Sequence, residues 1–156
     1  MYREKLHRLL GVELDSENFY AHAVHFPFGI VMGDHHLLVR IPIALPNDGS
    51  ISTAGEIPEQ SLLSLLRGPE LGSRRTIDEV IEQLGGKHAS RQLLTWYCAG
   101  RRLHMGDATG DELTQLEEHS GAQILGALSL GEIGAFGASS PYFHNGLILC
   151  TSLDGA

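Results

Sequence analysis

The chain has 156 residues, of which 42% are hydrophobic and 19% charged, an ordinary balance for one globular domain. Eleven Lys and Arg against 19 Asp and Glu leave a net charge of -8 with His neutral. That excludes nucleic-acid binding through a general basic field and a polybasic membrane anchor. No apolar run approaches the ~20 residues of a membrane helix, and MYREKLHRLLGVELD carries charges where a signal peptide would be apolar. A cytoplasmic protein without nucleic-acid or membrane partners is expected. The two cysteines, Cys98 and Cys150, make no disulfide framework and read as free thiols buried in strands.

In chain order, Leu6, Leu9 and Leu10 fall at helical spacing and Gly11 is a natural stop. Tyr20 to Gly29 mixes His, Phe and Pro without a period and reads as a loop packed by its aromatics. Leu37 to Leu45 alternates with period two, a strand. Pro42 cannot donate to a ladder, so this strand must lie at an edge or carry a bulge. Pro46-Asn47-Asp48-Gly49 is a turn, with Ser50 to Ala54 returning as a hairpin and Ser61 to Leu66 as a third strand.

The second half alternates helix and strand. Thr76-x-x-Glu79 and Thr109-x-x-Glu112 have the spacing of capping boxes, the first helix ending at Gly85-Gly86 and the second at Gly121. Leu93 to Cys98 and Ile124 to Leu130 are apolar on both faces, the pattern of central, neighbouring strands. A glycine-rich loop, GEIGAFGASSP, then leads to a last strand over Leu147 to Leu153. Together these predict an α+β fold with a single mixed, mainly antiparallel sheet and helices packed on one face.

Few residues carry recognisable chemistry. Ala127-Leu128-Ser129-Leu130-Gly131 fits a relaxed nucleophile elbow, but no helix signal follows Ser129, so it reads as a strand residue. Cys98 lies three residues before Arg101, too close for a phosphate-cradling loop, and packing explains it. Gly131-x-x-Gly134-x-x-Gly137 lacks dinucleotide-fingerprint spacing and a Walker lysine. Of nine histidines, His22-x-x-His25 and Asp34-His35-His36 are the densest groups, yet no cysteine pair accompanies them and no metal is expected. Glu132 and Arg101 each lie just past an apolar strand, where sheets present ligand-binding loops. Converging there, they would suit the ammonium and carboxylate of an amino-acid-like ligand; a structural salt bridge or bracing of the glycine loop is the equal alternative.

Four stretches in order, HFPFGIVMGDHHLLVRIPIALPNDGSI, LLTWYCAGRRLHMG, GALSLGEIGAFG and FHNG, resemble the C-terminal domain of FIST proteins. The matching positions are Pro27, Gly29, Arg40, Asp48, Gly49, Cys98, Gly100, Arg101, Gly131, Glu132, Ile133, Gly134, His144 and Asn145. The resemblance implies a non-enzymatic intracellular sensory module that binds a small molecule, with amino acids suggested, and signals to an output partner. The ligand-binding residues it implies are Arg101, Gly131, Glu132, Gly134, His144 and Asn145, with no cofactor. Gly146 and Leu147 depart from the family, which often places a threonine two positions after the His-Asn pair, and Leu130 stands where a small or polar residue is usual. The N-terminal FIST half is absent from residues 1–156, which are expected to form one FIST C-like domain. That missing half or a signalling output protein is the expected partner. A structural or protein-interaction domain without a ligand is the alternative, and a hydrolase using Ser129 or Cys98 with His144 is a third.

Overall fold

In the computed structural model, which describes residues 1–32, 36–135 and 140–154, the fold is α+β, but the strands are divided among four small sheets rather than gathered in one. The first half holds α1 (Tyr2–Leu10), capped by Gly11 in the left-handed conformation, and α2 (Phe19–Ala23). Strand β1 (Phe28–Val31) follows directly. The expected loop from Tyr20 to Gly29 therefore contains most of a helix and the start of a strand. Tyr2, Leu6, Leu14, Phe19, Ala23 and Leu45 form one buried cluster, with Phe26, Phe28, Ile51 and Leu65 packed against it.

The predicted strand from Leu37 to Leu45 breaks at Ile41. Its first part, β2 (Leu37–Arg40), pairs antiparallel with β1 at the edge of a sheet ordered β2-β1 and then β5 (Leu63–Leu65). Its second part, β3 (Pro42–Ala44), leaves that sheet and pairs with β4 (Ser52–Thr53) across the Pro46–Gly49 turn. The register shifts between Pro42 and Ala44. A proline without an N–H is the physical reason one alternating run serves two sheets.

The second half opens with α3 (Arg75–Gln83). Strand β6 (Gln92–Cys98) runs straight into α4 (Ala99–Met105), a helix hidden in the sequence by its shortness and by Gly100. After a single 3-10 turn come α5 (Thr109–Ser120), capped by left-handed Gly121, and β7 (Gln123–Ser129), which is parallel to β6. Neither predicted capping box forms: the N-cap positions are Arg74 and Ala108, and neither makes a side-chain cap. The glycine-rich stretch folds partly into a hairpin of β8 (Glu132–Gly134) and β9 (Tyr142–His144). Finally β10 (Ile148–Ser152) pairs antiparallel with β6, giving the order β10-β6-β7.

Strand β6 is central, as its double-sided apolar pattern predicts, but β7 is not. It is the edge of this sheet, with Leu125, Gly126, Ala127 and Leu128 all exposed. One face of the sheet is covered by helices: α3 and α5 pack Ile77, Val80, Ile81, Leu113 and Leu116 onto Tyr97, Ile124, Ile148 and Cys150. No helix among the described residues is long and apolar enough to cross a membrane.

Leu116 is fully buried at the centre of that cluster. Leu116→Ala should lower the unfolding free energy by about 2–5 kcal/mol, whereas Leu9→Ala on the exposed side of α1 should change it by less than ~0.5 kcal/mol. Urea unfolding of both variants measures the difference.

Candidate functional site

The carboxyl ends of β6 and β7 lie side by side, with Cys98 opposite Ser129 in register. The segments after them carry Arg101 and Glu132, the two residues expected to converge. Their side chains go to different partners. Arg101, 6% exposed, is gripped by Glu112 of α5, itself 3% exposed. Its Nε donates to Glu112 Oε2 at 2.9 Å and its Nη2 to Oε1 at 2.5 Å. The Tyr97 hydroxyl donates to Oε2 as well, at 2.5 Å, and Arg101 Nη1 donates to the Gly146 carbonyl at 3.2 Å. Burial alone would lower the Arg101 pKa, but the hydrogen bonds and charge of Glu112 hold it above its ordinary value. Burial and the same carboxylate push Tyr97 upward.

Glu132 is 2% exposed. The Ser129 hydroxyl donates to its Oε1 at 2.6 Å, while the buried Oε2 has no hydrogen-bond partner. Burial pushes the Glu132 carboxyl above the usual range, opposed first by the Ser129 hydrogen bond and more weakly by the nearby Cys98 thiol and Leu147 N–H. Cys98 is a buried thiol whose pKa is raised by desolvation, and it accepts from the Gly146 N–H at 3.1 Å. Cys150 is also free and shifted upward by burial. Neither sulfur has the surroundings of a thiolate, and the Ser129 proton is directed at a carboxylate.

His144 stands opposite Glu132 across the β8–β9 pair, so the two side chains share a face. Burial lowers its pKa, a hydrogen bond with the Gly134 backbone opposes this, and the charge of Arg40 adds to the lowering. Asn145, almost completely buried, accepts from the Ile41 N–H at 3.4 Å and donates to the His144 carbonyl at 3.1 Å. Arg40 donates to the Phe143 carbonyl and the Glu56 carbonyl, and its guanidinium lies 5.6 Å from the Phe143 ring centre. Side chains on Gly131 and Gly134 would run into Phe143 and Leu149 respectively. Both glycines therefore serve close packing.

A cleft of about 480 Å3 runs beside β10, between α3 and the end of β8. Thr76, Glu79, Val80 and Gln83 form one wall, and Gly134, Gly146 and Leu147 the other, with Arg101 in its lining. Of the six predicted ligand residues, Arg101 and Gly134 line this cleft. Glu132, His144 and Asn145 are buried and Gly131 half-buried, outside the lining. Glu132 meets the cleft through Leu147, whose N–H lies near its carboxyl. Glu112 escaped sequence reasoning because its place three residues after Thr109 suggested a cap.

The histidine groups lie elsewhere. His25 and His104 meet through their Nδ1 atoms at 2.7 Å, and with His22 they line a second cleft of about 710 Å3. Asp34 and His35, and Gly137 of the glycine loop, lie outside the described residues. Among the described residues no group of three or more His, Cys, Asp or Glu is placed to hold a metal ion.

Residues 1–135 match the family model of the FIST C domain. No curated protein and no solved structure matches the chain.

Two measurements test this geometry. Glu112→Ala leaves a buried guanidinium without its partner and should destabilise the fold by about 3–5 kcal/mol, read by denaturant unfolding. The Glu132 pKa is raised in the folded state, so its contribution to stability is full below the ordinary glutamate range and is lost as pH rises through the raised value. Glu132→Gln carries no such loss. Its melting temperature relative to wild type should therefore climb as pH rises out of the ordinary carboxylate range; parallel melting profiles would contradict the shift.

Proposed function

We propose, because the chain belongs to the FIST C domain family of typically non-catalytic sensory domains, that it senses a small ligand at the cleft beside β10 and passes the signal to a partner. The observation that carries the proposal is Glu132: a buried carboxyl with one oxygen satisfied and the other unpartnered, against the segment that walls the cleft. Buried polar atoms are nearly always paired, so an orphan oxygen beside a cleft marks where a donor belongs.

The ligand class that suits this lining is an amine-bearing carboxylate, amino-acid-like in size. A cleft of about 480 Å3 falls within the range of small-molecule sites. Val80, Leu84 and Leu147 offer apolar contact. Arg101 has five N–H donors, three of which are engaged with Glu112 and Gly146. Its two remaining N–H groups, one on each terminal nitrogen, donate to the ligand carboxylate oxygens without displacing Glu112. The ligand ammonium reaches the unpartnered Glu132 Oε2 by moving the Leu147 segment aside, and that local shift is the signal. Gly134 forms part of the wall, and Gly131, His144 and Asn145 hold the β8–β9 hairpin in place behind it. The filled fork of Arg101 favours a second reading, in which the cluster is a brace within an interaction domain that has no ligand.

Isothermal titration with a panel of amino acids, small amines and small carboxylates distinguishes the two. At least one amine-bearing carboxylate should bind. Glu132→Gln should weaken it roughly 10- to 100-fold, the value of one charge-assisted hydrogen bond. Gln83→Trp, which plugs the cleft from an exposed position on α3, should abolish binding without lowering the melting temperature. Silence across the panel, or binding that survives Gln83→Trp, refutes the ligand-sensing reading of this cleft.

A further inference from the structure

The outer edge of β7 is the least defended feature of the molecule. Edge strands in monomeric proteins are usually shielded by charges, proline, a bulge or a covering element. Strand β7, QILGALS, has none of the first three: it is uncharged, lacks proline and stays in unbroken register with β6 for all 7 residues. Its far side pairs with no strand among the described residues. Leu125 is 44% and Leu128 60% exposed, and Leu130 and Trp96 beside them are exposed too.

From this we infer that β7 pairs antiparallel with β7 of a second copy of the chain, joining two three-stranded sheets into one of six strands. The inference is independent of the ligand reading. The strand complements itself about a two-fold axis through Gly126. Gln123 then faces Ser129, Ile124 faces Leu128, and Leu125 faces Ala127: polar meets polar, apolar meets apolar, and a large side chain meets a small one. On the helix-covered face, Ile124 already belongs to the cluster of Ile77 and Leu116, so the partner's Leu128 extends an existing core. On the open face Trp96 lies next to Ala127 in register, and Leu125 of the partner covers both. This is the isologous contact expected of a symmetric dimer.

Charge and area choose a second copy over other occupants. The chain is acidic, so two copies repel wherever their charged surfaces meet. Yet from His119 to Leu153 the only charged side chain is Glu132, and it is buried. The β7 edge is where like copies meet without like charges. The exposed parts of Trp96, Leu125, Leu128 and Leu130 amount to roughly 400 Å2, comparable with the largest apolar patch of a typical monomer. With the exposed Gln123, Gly126 and Ala127 added, the surface falls in the smaller class of interfaces, below ~1,200 Å2 in total, which suits a dimer that forms as concentration rises.

Sedimentation equilibrium across a range of concentrations, combined with amide hydrogen exchange, provides the test. The wild type should approach twice its 16.9 kDa chain mass, and amides of 123–129 should gain protection as concentration rises. The double variant Leu125→Lys, Leu128→Lys replaces only exposed side chains, so it should keep the wild-type circular dichroism while its mass falls to that of one chain. Leu9→Lys, on α1, should remain dimeric. A wild type that stays monomeric at every concentration overturns the inference. So does a dimer that persists in the double variant, or β7 protection that ignores concentration, which would mean that another segment or partner covers this edge.

Discussion

The Arg101–Glu112 pair is the contact on which the second half of the molecule depends. Taking a guanidinium and a carboxylate out of water costs several kcal/mol per ion, repaid only where geometry and additional hydrogen bonds are good. Here the pair is bidentate, Tyr97 adds a third hydrogen bond, and Arg101 reaches on to the Gly146 carbonyl. Those contacts join the end of β6, the start of α4, the face of α5 and the approach to β10. The segment that walls the cleft is thus anchored by the same guanidinium that lines it.

Around this anchor, a second set of polar contacts ties the two halves together. Asn145 bonds to Ile41, at the junction where the chain changes sheets, and Arg40 holds the β9 backbone at Phe143. Nearly every group in this region has a partner within the fold. Glu132 Oε2 is one buried oxygen without a close hydrogen-bond partner among the described residues, and an unsatisfied buried acceptor costs about 1–3 kcal/mol.

The family match ends at residue 135, whereas β9 and β10 follow it. Those strands are integral to the architecture: β10 makes β6 a central strand, and β9 places His144 opposite Glu132. The recognised core of the domain thus supplies Arg101, Glu112 and Glu132, and the strands beyond it complete the cleft around them. From His119 to Leu153 the chain carries no charge but the buried Glu132, leaving the β7 edge apolar in an otherwise acidic protein.

What local physics dictates was legible in the residues. Gly11 and Gly121 end helices because a left-handed cap suits glycine, Pro42 interrupts a ladder because it has no N–H, and β6 is central because it is apolar on both faces. The apolar runs Leu93 to Cys98 and Ile124 to Leu130 likewise pointed to β6 and β7 as neighbours. Tertiary structure decided the rest. Whether β7 was central or an edge depended on whether another strand pairs along its far side, which the alternation of faces cannot reveal. The partner of Arg101 was equally hidden, because Glu112 and Glu132 are both carboxylates within reach in sequence terms. Only the packing of α5 against β6 brought the first into the guanidinium's plane and left the second with an oxygen unpaired. Side-chain pairing between distant elements is a property of three-dimensional packing, and no local spacing encodes it.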